Sequence, residues 1–427
     1  MTPGTPHEAS AVLATSWLTA RRLRAQALVL AACLWGVCTA DFATPGLFDR
    51  AGNIKFQDFL PLYVSGRLVA QGRAGELYNQ QVVAGEIEKI VHRTGGDGQL
   101  RVLLPNLYGP QVGLLFAPLS RLSFPIAAWI WSAVNLLAFF ACVFVVWRVC
   151  PGLHPHARFV ALSAIAFPPL FNFFVRGQTS VLVLICFAAA FLALRADRSW
   201  LAGMAFGLLV FKPQFLIAIP LLLLLAGAWK MLAGLSVSAA AQIAWTWAYF
   251  GGAVMRSYFD LLWHVPNWIS SAELPFAAIQ MHSWRSFWSL LIPWPQVAML
   301  LYLLSSLVTI ALAASVWKSA SPLALRFSAV TLAVVLVNPH LFVYDLLVLT
   351  PALLLLAEWT LANAQHRFSV TLRGLVYLAF ILPLLGPLSL WTHFQLSVPV
   401  FAVLFWFLWR SVSAVLPESR DRRLASP

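Results

Sequence analysis

One carboxylate lies in an otherwise apolar and aromatic part of the sequence, in the stretch Phe56-Gln57-Asp58-Phe59-Leu60-Pro61-Leu62-Tyr63. A carboxylate in such a frame can take a proton from a hydroxyl group and so act as a general base. The alternative interpretation is an amphipathic surface helix on which Asp58 faces water. We predict that Asp58 is catalytic and keep the surface helix as the competing hypothesis.

Three short polar stretches interrupt the later, apolar sequence: Arg176-Gly177-Gln178, Lys212-Pro213-Gln214 and Asn338-Pro339-His340. Ionisable residues cost free energy close to a bilayer, which makes each of them a candidate for function. A structural role is the alternative, because Arg176 and Lys212 can extend to lipid headgroups and His340 can cap a turn. Asp345, just beyond the third stretch, is either a structural partner for a cation or hydroxyl or a second polar site residue, and we favour the structural role.

The composition is that of a polytopic membrane protein, since 61% of the 427 residues are hydrophobic and only 10% are charged. A soluble protein cannot bury that much apolar surface. The net charge of +13 does not indicate nucleic-acid binding, because the basic residues lie singly at the ends of apolar segments. The five cysteines have no metal-ligand spacing, and neither a zinc site nor a disulfide framework is expected.

About twelve apolar segments are predicted to be transmembrane helices of an all-α protein. They are 25–40, 125–147, 159–175, 179–194, 200–211, 215–229, 231–249, 297–317, 323–337, 341–359, 372–390 and 394–409. Several are shorter than the ~20 residues of a full crossing, so tilted or broken helices are expected. The apolar run between Tyr108 and Arg121 is predicted to be a re-entrant or partial-depth helix.

Alternation of these spans from a cytoplasmic N-terminus places most basic residues inside, as the positive-inside rule requires. The later outer loops hold only four basic residues, namely Arg176, Lys212, Arg256 and Arg285. The first span also resembles a cleavable signal peptide, but the charge distribution favours an uncleaved helix. The predicted organisation is a cytoplasmic tail (1–24), one transmembrane catalytic domain (25–410) and a basic cytoplasmic tail (411–427).

Two large outer loops are predicted within this domain, at 41–108 and 251–295, and the three polar stretches fall on the same outer side as Asp58. In the first loop, the apolar spacing predicts an amphipathic helix in the membrane interface from Gln57 to Gly72. A second helix is predicted from Gly75 to Arg93, followed by a turn at 94–98. The first ten residues and the tail after Pro417 are predicted to be disordered.

Motifs of several other chemistries are absent from the sequence. It has no P-loop, no glycine-rich dinucleotide fingerprint, no HExxH and no CxxC pair. We therefore expect neither a metal nor an organic cofactor, and no site for a nucleotide sugar.

A set of short stretches runs through almost the whole chain in a familiar order. They are Gln57-Asp58-Phe59 with Tyr63, 72–78, Gly109-Pro110 with Pro118-Leu119, Gly177-Gln178, 203–214, and Asn338-Pro339-His340 with Tyr344-Asp345-Leu346. Together they resemble glycosyltransferase family 87, the polyprenyl-phosphate-mannose-dependent membrane transferases of the C-type glycosyltransferase fold. The resemblance implies an active site on the outer face, with the Asp58 position as base. Many C-type enzymes carry two acids there, whereas this chain has Gln57 before Asp58.

The resemblance implies transfer of a sugar, mannose by analogy, from a polyprenyl-phosphate donor to an extracytoplasmic glycolipid or glycan, with inversion of the anomeric carbon. The expected location is the bacterial inner membrane, with the active site on the extracytoplasmic face. Predicted roles are catalysis by Asp58 and His340, donor-phosphate binding by Lys212, Arg176 and Gln178, and substrate orientation by Tyr63, Tyr108 and Gln214. The alternatives are a transporter or flippase of lipid-linked sugars and a non-catalytic subunit that binds the lipid carrier.

Overall fold

The computed structural model of the protein describes residues 19–93, 107–268 and 280–413. The predicted turn at 94–98, the first ten residues and the tail after Pro417 lie outside these ranges. Every regular element within the described residues is a helix. The all-α prediction is therefore confirmed.

The α-helices are numbered here in chain order. The first nine are α1 (Ala20–Phe42), α2 (Phe59–Ala70), α3 (Gln80–Arg93), α4 (Gln111–Phe116), α5 (Phe124–Trp147), α6 (Ala157–Ile165), α7 (Pro168–Arg176), α8 (Ser180–Arg195) and α9 (Ser199–Gly207). The others are α10 (Ala218–Ala226), α11 (Trp229–Trp268), α12 (Trp284–Leu291), α13 (Pro295–Lys318), α14 (Leu323–Val337), α15 (Leu349–Ala362), α16 (Ser369–Ile381), α17 (Ser389–Thr392) and α18 (Ser397–Ser413). Short 3-10 helices lie at Ala74–Glu76, Leu119–Arg121, Pro151–His156, Leu208–Phe211, Pro213–Leu216, Val343–Val348 and Leu382–Leu388.

Five helical segments of the described chain are long and apolar enough to cross a membrane. They are Ala20–Phe42, Phe124–Trp147, Pro295–Lys318, Val343–Ala362 and Ser369–Thr392. The pair Pro151–Ile165 and Pro168–Arg176, bent by 46°, would make a sixth. Helical residues occur in every predicted span, but many of the helices are too short to cross alone, so the count of about twelve stays a prediction.

Chain breaks occur at the three polar stretches, as the sequence predicts. Gly177 ends α7 in a left-handed conformation with a φ of 71°, and Lys212, whose backbone is not helical, separates two 3-10 helices. The stretch from Asn338 to His340 follows the end of α14. These breaks leave polar side chains at the ends of helices, where the helical hydrogen-bond ladder stops.

The prediction of an interfacial amphipathic helix in the first outer loop is wrong for α2. Eight of its twelve residues are buried, among them Leu60, Tyr63 and Val64, and they do not lie on a single face. Gly66 allows the backbone of α4 to approach closely, because a Cβ at Gly66 would lie 2.5 Å from the carbonyl carbon of Phe116. The short segment predicted to be re-entrant therefore covers α2, and α2 becomes part of the core rather than a surface helix.

Glycines also bring α9 into close contact with α11. A Cβ at Gly203 would lie 2.0 Å from the carbonyl oxygen of Met231, and one at Gly234 would lie 2.2 Å from that of Trp200. Small residues allow such backbone approach between membrane helices. The contact anchors the segment that leads to Lys212. The second predicted outer loop begins inside α11, at Gly251, where a φ of 79° breaks the helix.

Candidate active site

Asp58 directly precedes helix α2, where the chain docks against the end of α7. Two backbone hydrogen bonds fix this docking: Phe56 N donates to Val175 O (3.2 Å), and Asp58 N donates to Arg176 O (3.1 Å). Phe56 has a φ of 55°, a left-handed conformation that bulky residues rarely adopt. The resulting bend presents Asp58 to the turn after α7.

The Asp58 carboxylate makes its contacts with that turn and not with its own helix. Its Oδ2 accepts a hydrogen bond from Nε2 of Gln178 at 2.9 Å, and its Oδ1 lies 3.7 Å from Nη1 of Arg176. Only 15% of the side chain is exposed. This environment contradicts the competing hypothesis of a water-facing surface helix, while the catalytic role of Asp58 stays a prediction.

The amide of Gln178 is oriented by two further donors. Its Oε1 accepts from the Tyr108 hydroxyl at 2.9 Å and from Thr179 N at 3.3 Å. The Thr179 hydroxyl in turn donates to the Tyr108 oxygen at 2.9 Å. Because the amide oxygen is occupied by donors, the NH2 group is the one that faces Asp58.

The turn itself is held by two side chains of α5. Nε1 of Trp131 donates to Gly177 O (3.0 Å), and Nδ2 of Asn135 donates to Gln178 O (3.1 Å). A side chain at position 177 would collide with Phe59, because a Cβ there would lie 2.9 Å from the Phe59 Cβ. Sequence reasoning missed Trp131 and Asn135. An amide within an otherwise apolar span is a signal that could have found Asn135.

Arg176, at the end of α7, contacts Gln280 in the second predicted loop. Its Nη1 faces Asp58, and its Nη2 donates to Oε1 of Gln280 at 3.1 Å. The side chain is 26% exposed, so it keeps access to a ligand from outside the protein. Gln280 was not expected at this site, and no feature of the sequence around it singles it out.

Lys212 and Asp345 form a buried ion pair beside this cluster. The Lys212 ammonium contacts Oδ1 of Asp345 and lies 3.3 Å from the Ser180 hydroxyl, which donates to the same carboxylate oxygen at 2.6 Å. The side chains of Lys212 and Asp345 are only 5% and 1% exposed. The interpretation of Asp345 as the partner of a cation and a hydroxyl is confirmed.

Aromatic rings surround the Lys212 ammonium and connect the two clusters. The nitrogen lies 5.9 Å from the ring centre of Tyr108, 5.7 Å from that of Phe215 and 5.6 Å from that of Tyr344. Such ring faces stabilise a cation in addition to its carboxylate. Tyr108 therefore contacts Lys212 with its ring and Gln178 with its hydroxyl.

Of the remaining predicted site residues, His340 lies within electrostatic range of the Lys212–Asp345 pair. His340 follows Asn338, whose side chain accepts from His340 N at 2.9 Å, and its ring packs on Phe342. The Tyr63 hydroxyl donates to Leu122 O at 2.7 Å, which directs it away from Asp58 and into the packing of the first loop. Gln214 is half-buried in the 3-10 helix after Lys212. Their roles stay predictions.

An ionic cluster stabilises the first outer loop near the site. Glu86 is buried and pairs with Lys89 (2.9 Å) and Arg73 (3.4 Å). The hydrogen bond from Lys89, assisted by Arg73, lowers the pKa of Glu86, although burial acts in the opposite direction. The loop then reaches the site through Tyr78, whose hydroxyl donates to Tyr108 O at 2.9 Å.

Within residues 19–93, 107–268 and 280–413, no group of three or more His, Cys, Asp or Glu side chains is placed to hold a metal ion.

Fold and site together define a helical membrane protein in which helix ends and the segment before α2 assemble a carboxylate, two cations and several amides. The chain belongs to glycosyltransferase family 87, whose family model matches residues 106–339. That match includes Tyr108, Arg176, Gln178 and Lys212, and it does not reach Asp58.

One relative is similar over a shorter stretch. The polyprenol-phosphate-mannose-dependent alpha-(1-2)-phosphatidylinositol pentamannoside mannosyltransferase of Mycobacterium tuberculosis (strain CDC 1551 / Oshkosh) is 32% identical over 108 residues. The aligned part is 24% of this chain and 24% of that protein, so the chain covers about a quarter of its relative's length. No solved structure matches the chain.

Proposed function

We propose that this protein is a membrane glycosyltransferase that moves a mannosyl residue from a polyprenyl-phosphate donor to a hydroxyl group of a glycolipid or glycan. Membership of family 87 and the name of the mycobacterial relative support the transferase class and the type of donor. The observation that carries the proposal is the Asp58 carboxylate, held between Arg176 and Gln178 at the mouth of a buried polar cluster.

Asp58 acts as the general base. Its Oδ2 is bound by Gln178, whereas its Oδ1 is 3.7 Å from Arg176, too far for a hydrogen bond, and so keeps lone pairs for an acceptor hydroxyl. Asp58 takes the hydroxyl proton while the acceptor oxygen bonds to the anomeric carbon. The bond from that carbon to the phosphate oxygen breaks, and its electron pair leaves with polyprenyl phosphate. Attack opposite the leaving group inverts the anomeric configuration.

Gln178 and Tyr108 position this base. With its oxygen held by Tyr108 and Thr179, Gln178 can offer only donors to Asp58, which suits a carboxylate that must be ready to accept a proton. We therefore assign Gln178 and Tyr108 to the orientation of Asp58, in place of direct contact with the donor phosphate or the sugar.

Arg176 is the donor-phosphate ligand in this proposal. Its guanidinium is partly exposed, stands beside the base and offers paired donors, which suits a phosphate whose negative charge grows as it leaves. Lys212 is more deeply buried and already paired with Asp345. It therefore contributes its positive electrostatic potential and holds the elements of the site in place. A direct contact of Lys212 with phosphate requires it to share its ammonium with Asp345.

The donor class follows from the proposed location in a bacterial inner membrane, with the site on the extracytoplasmic face. Nucleotide sugars are confined to the cytoplasm, whereas a polyprenyl tail keeps a sugar phosphate in the bilayer with its head at the surface. The basic residues at the opposite helix ends support this orientation.

The test is turnover of polyprenyl-phosphate-mannose by purified Asp58→Asn protein. The variant keeps the size and one carbonyl oxygen of the side chain but cannot take a proton, so the rate should fall by at least ~10²-fold. Asp58→Glu should also be severely impaired, because one extra methylene displaces the base by about an ångström. Donor binding, measured directly, should survive in both.

Asp49→Asn is the matched control. It makes the same change in the same loop, where Asp49 accepts hydrogen bonds from backbone and side-chain amides of neighbouring residues such as Asn53. Near-wild-type turnover by monodisperse Asp58→Asn protein would exclude Asp58 as the base. Loss of turnover in the Asp49 control as well would attribute the effect to the loop.

A further inference from the structure

A cavity of about 370 Å³ lies against the first turns of helix α1. Its residues on α1 come from the first turns, between Ala20 and Leu30. The other end of that helix reaches the active site, because Phe42 packs on Phe56, with ring centres 4.8 Å apart. At 1.5 Å per residue, Arg24 and Phe42 are separated by roughly 27 Å. The end of the cavity that Arg24 lines is therefore remote from Asp58.

The cavity is long and follows the helix axes. On α15 it is lined from Thr350 to Leu361, which spans about 16 Å along the axis. On α16 it is lined from Arg373 to Ile381, about 12 Å. An elongated space of this kind fits a hydrocarbon chain better than a compact polar molecule.

Polarity changes along the cavity. At one end lie Arg24, His156 and Arg373, and Arg373 donates to Thr360 O at 2.6 Å. A hydrogen bond from the Tyr377 hydroxyl to Gln26 (2.9 Å) joins α16 to α1 at this same end. The walls beyond it are apolar and include Leu30, Phe139, Phe167, Leu353 and Ile381.

The basic side chains at the polar end have no acidic partner among the described residues. Neither Arg24, His156 nor Arg373 pairs with a carboxylate of residues 19–93, 107–268 and 280–413. Nε of Arg373 is buried and has no hydrogen-bond partner there. The carboxylate of Glu358, on the same helix as Thr360, is turned to Gly152 N (3.0 Å) and does not line the cavity.

We propose that this cavity is a binding site for an anionic phospholipid, distinct from the donor and acceptor sites. The lipid phosphate lies between Arg24 and Arg373, and one acyl chain fills the apolar part under α1. Basic pockets between membrane helices on the cytoplasmic side bind anionic headgroups in this manner. The helix ends that carry the pocket are also those with the excess of basic residues.

The experiment measures lipid binding to the purified full-length protein, by native mass spectrometry and by the shift of the melting temperature. Phosphatidylglycerol and phosphatidylcholine with identical acyl chains are compared, with inorganic phosphate as a competitor. We expect retention of phosphatidylglycerol over phosphatidylcholine and no displacement by inorganic phosphate, because the acyl chain contributes to binding.

The test variant is Arg24→Gln with Arg373→Gln. A basic residue near an anionic lipid contributes an effect of about five-fold in affinity, so the double variant should bind phosphatidylglycerol about 25-fold more weakly. The control, Arg158→Gln with Arg198→Gln, removes two exposed arginines that do not line the cavity and should bind normally. Mannosyl transfer in detergent is measured on the same samples.

A phosphatidylglycerol analogue with a photoreactive group at the chain end locates the tail. It should label peptides that contain Phe139 or Phe167, and much less those of exposed positions such as Trp245. Equal binding of both headgroups, equal loss in the control, displacement by inorganic phosphate, or labelling confined to the outer surface would each overturn the proposal. None of these outcomes depends on whether the protein transfers mannose.

Discussion

The amide nitrogen of Gln178 lies 2.9 Å from the Asp58 carboxylate, although 120 residues separate them in the chain. The contact joins the first outer loop to the turn between α7 and α8. The Gln178 amide oxygen is held at the same time by the Tyr108 hydroxyl, so a chain of three residues leads from Tyr108 to the proposed base. The first prediction concerns this chain.

Tyr108→Phe should lower kcat by about two- to ten-fold and leave the KM for the donor unchanged. The variant removes one neutral hydrogen bond to Gln178, which contributes about 0.5–1.5 kcal/mol. If Tyr108 acts through Asp58, the same substitution should cost nothing further in the Asp58→Asn background. An additive loss there, or a raised KM, would instead indicate direct contact with a substrate. Tyr249→Phe, at a 60% exposed tyrosine, is the control.

Variants of the buried pair Lys212 and Asp345 distinguish a structural role of Lys212 from a phosphate-binding role. Lys212→Met should destabilise the protein by about 3–5 kcal/mol, because Asp345 is left buried and unpaired. Combination with Asp345→Leu should restore the melting temperature and the yield. Donor KM is then measured on the restored double variant.

A normal donor KM in that double variant would show that the pair is structural. A rise of about ten- to a hundred-fold would correspond to a lost charge-assisted contact of about 1.5–3 kcal/mol and would make Lys212 a phosphate ligand. Arg176→Gln should raise the donor KM in either case, since its guanidinium is partly exposed beside Asp58.

Glu86 should contribute a pH-dependent part of the stability of the first outer loop. Lys89 and Arg73 hold its pKa below the ordinary value of 4.5. When folding lowers the pKa of a carboxylate, the stabilisation is fully present above the pKa of the unfolded state. It is lost as the pH falls through the pKa of the folded state. The melting-temperature difference between wild type and Glu86→Gln should therefore be constant at pH 6–8 and shrink below about pH 4. Glu88→Gln, at an exposed glutamate on the same helix, should show little difference at either pH.

The topology is testable with single cysteines and a membrane-impermeant thiol reagent on whole cells. Cysteine at Gly75 or Gly252 should react, and cysteine at Ser199 should react only after permeabilisation. A side chain fits at both glycines, since a Cβ meets nothing within 4 Å at Gly75 and only ordinary contacts at Gly252. Cys33 is exposed and is replaced by serine in the background. Labelling of the cysteine at position 199 but not of the one at position 75 would show the opposite orientation and contradict the proposed extracytoplasmic mechanism.

Hydropathy along the chain located apolar segments that contain helices in the structure, because burial in a bilayer acts on each segment largely independently of its neighbours. Proline, glycine and charged residues likewise marked the breaks at Gly177, Lys212 and Asn338 from the sequence alone, since they act on the local backbone. Three of the polar residues that the sequence selected, Asp58, Arg176 and Gln178, meet in space.

Only the tertiary structure decided which polar group faces which. Asp345 pairs with Lys212 across 133 residues, and Asn135, an amide within an otherwise apolar span, supports the Gln178 turn. The same holds for α2, whose sequence predicts an interfacial helix but which α4 covers, and for Tyr63, whose hydroxyl binds Leu122 O. Side-chain partners depend on how helices rotate and approach one another, and that rotation is set by packing summed over the whole bundle. The local sequence pattern does not determine this rotation.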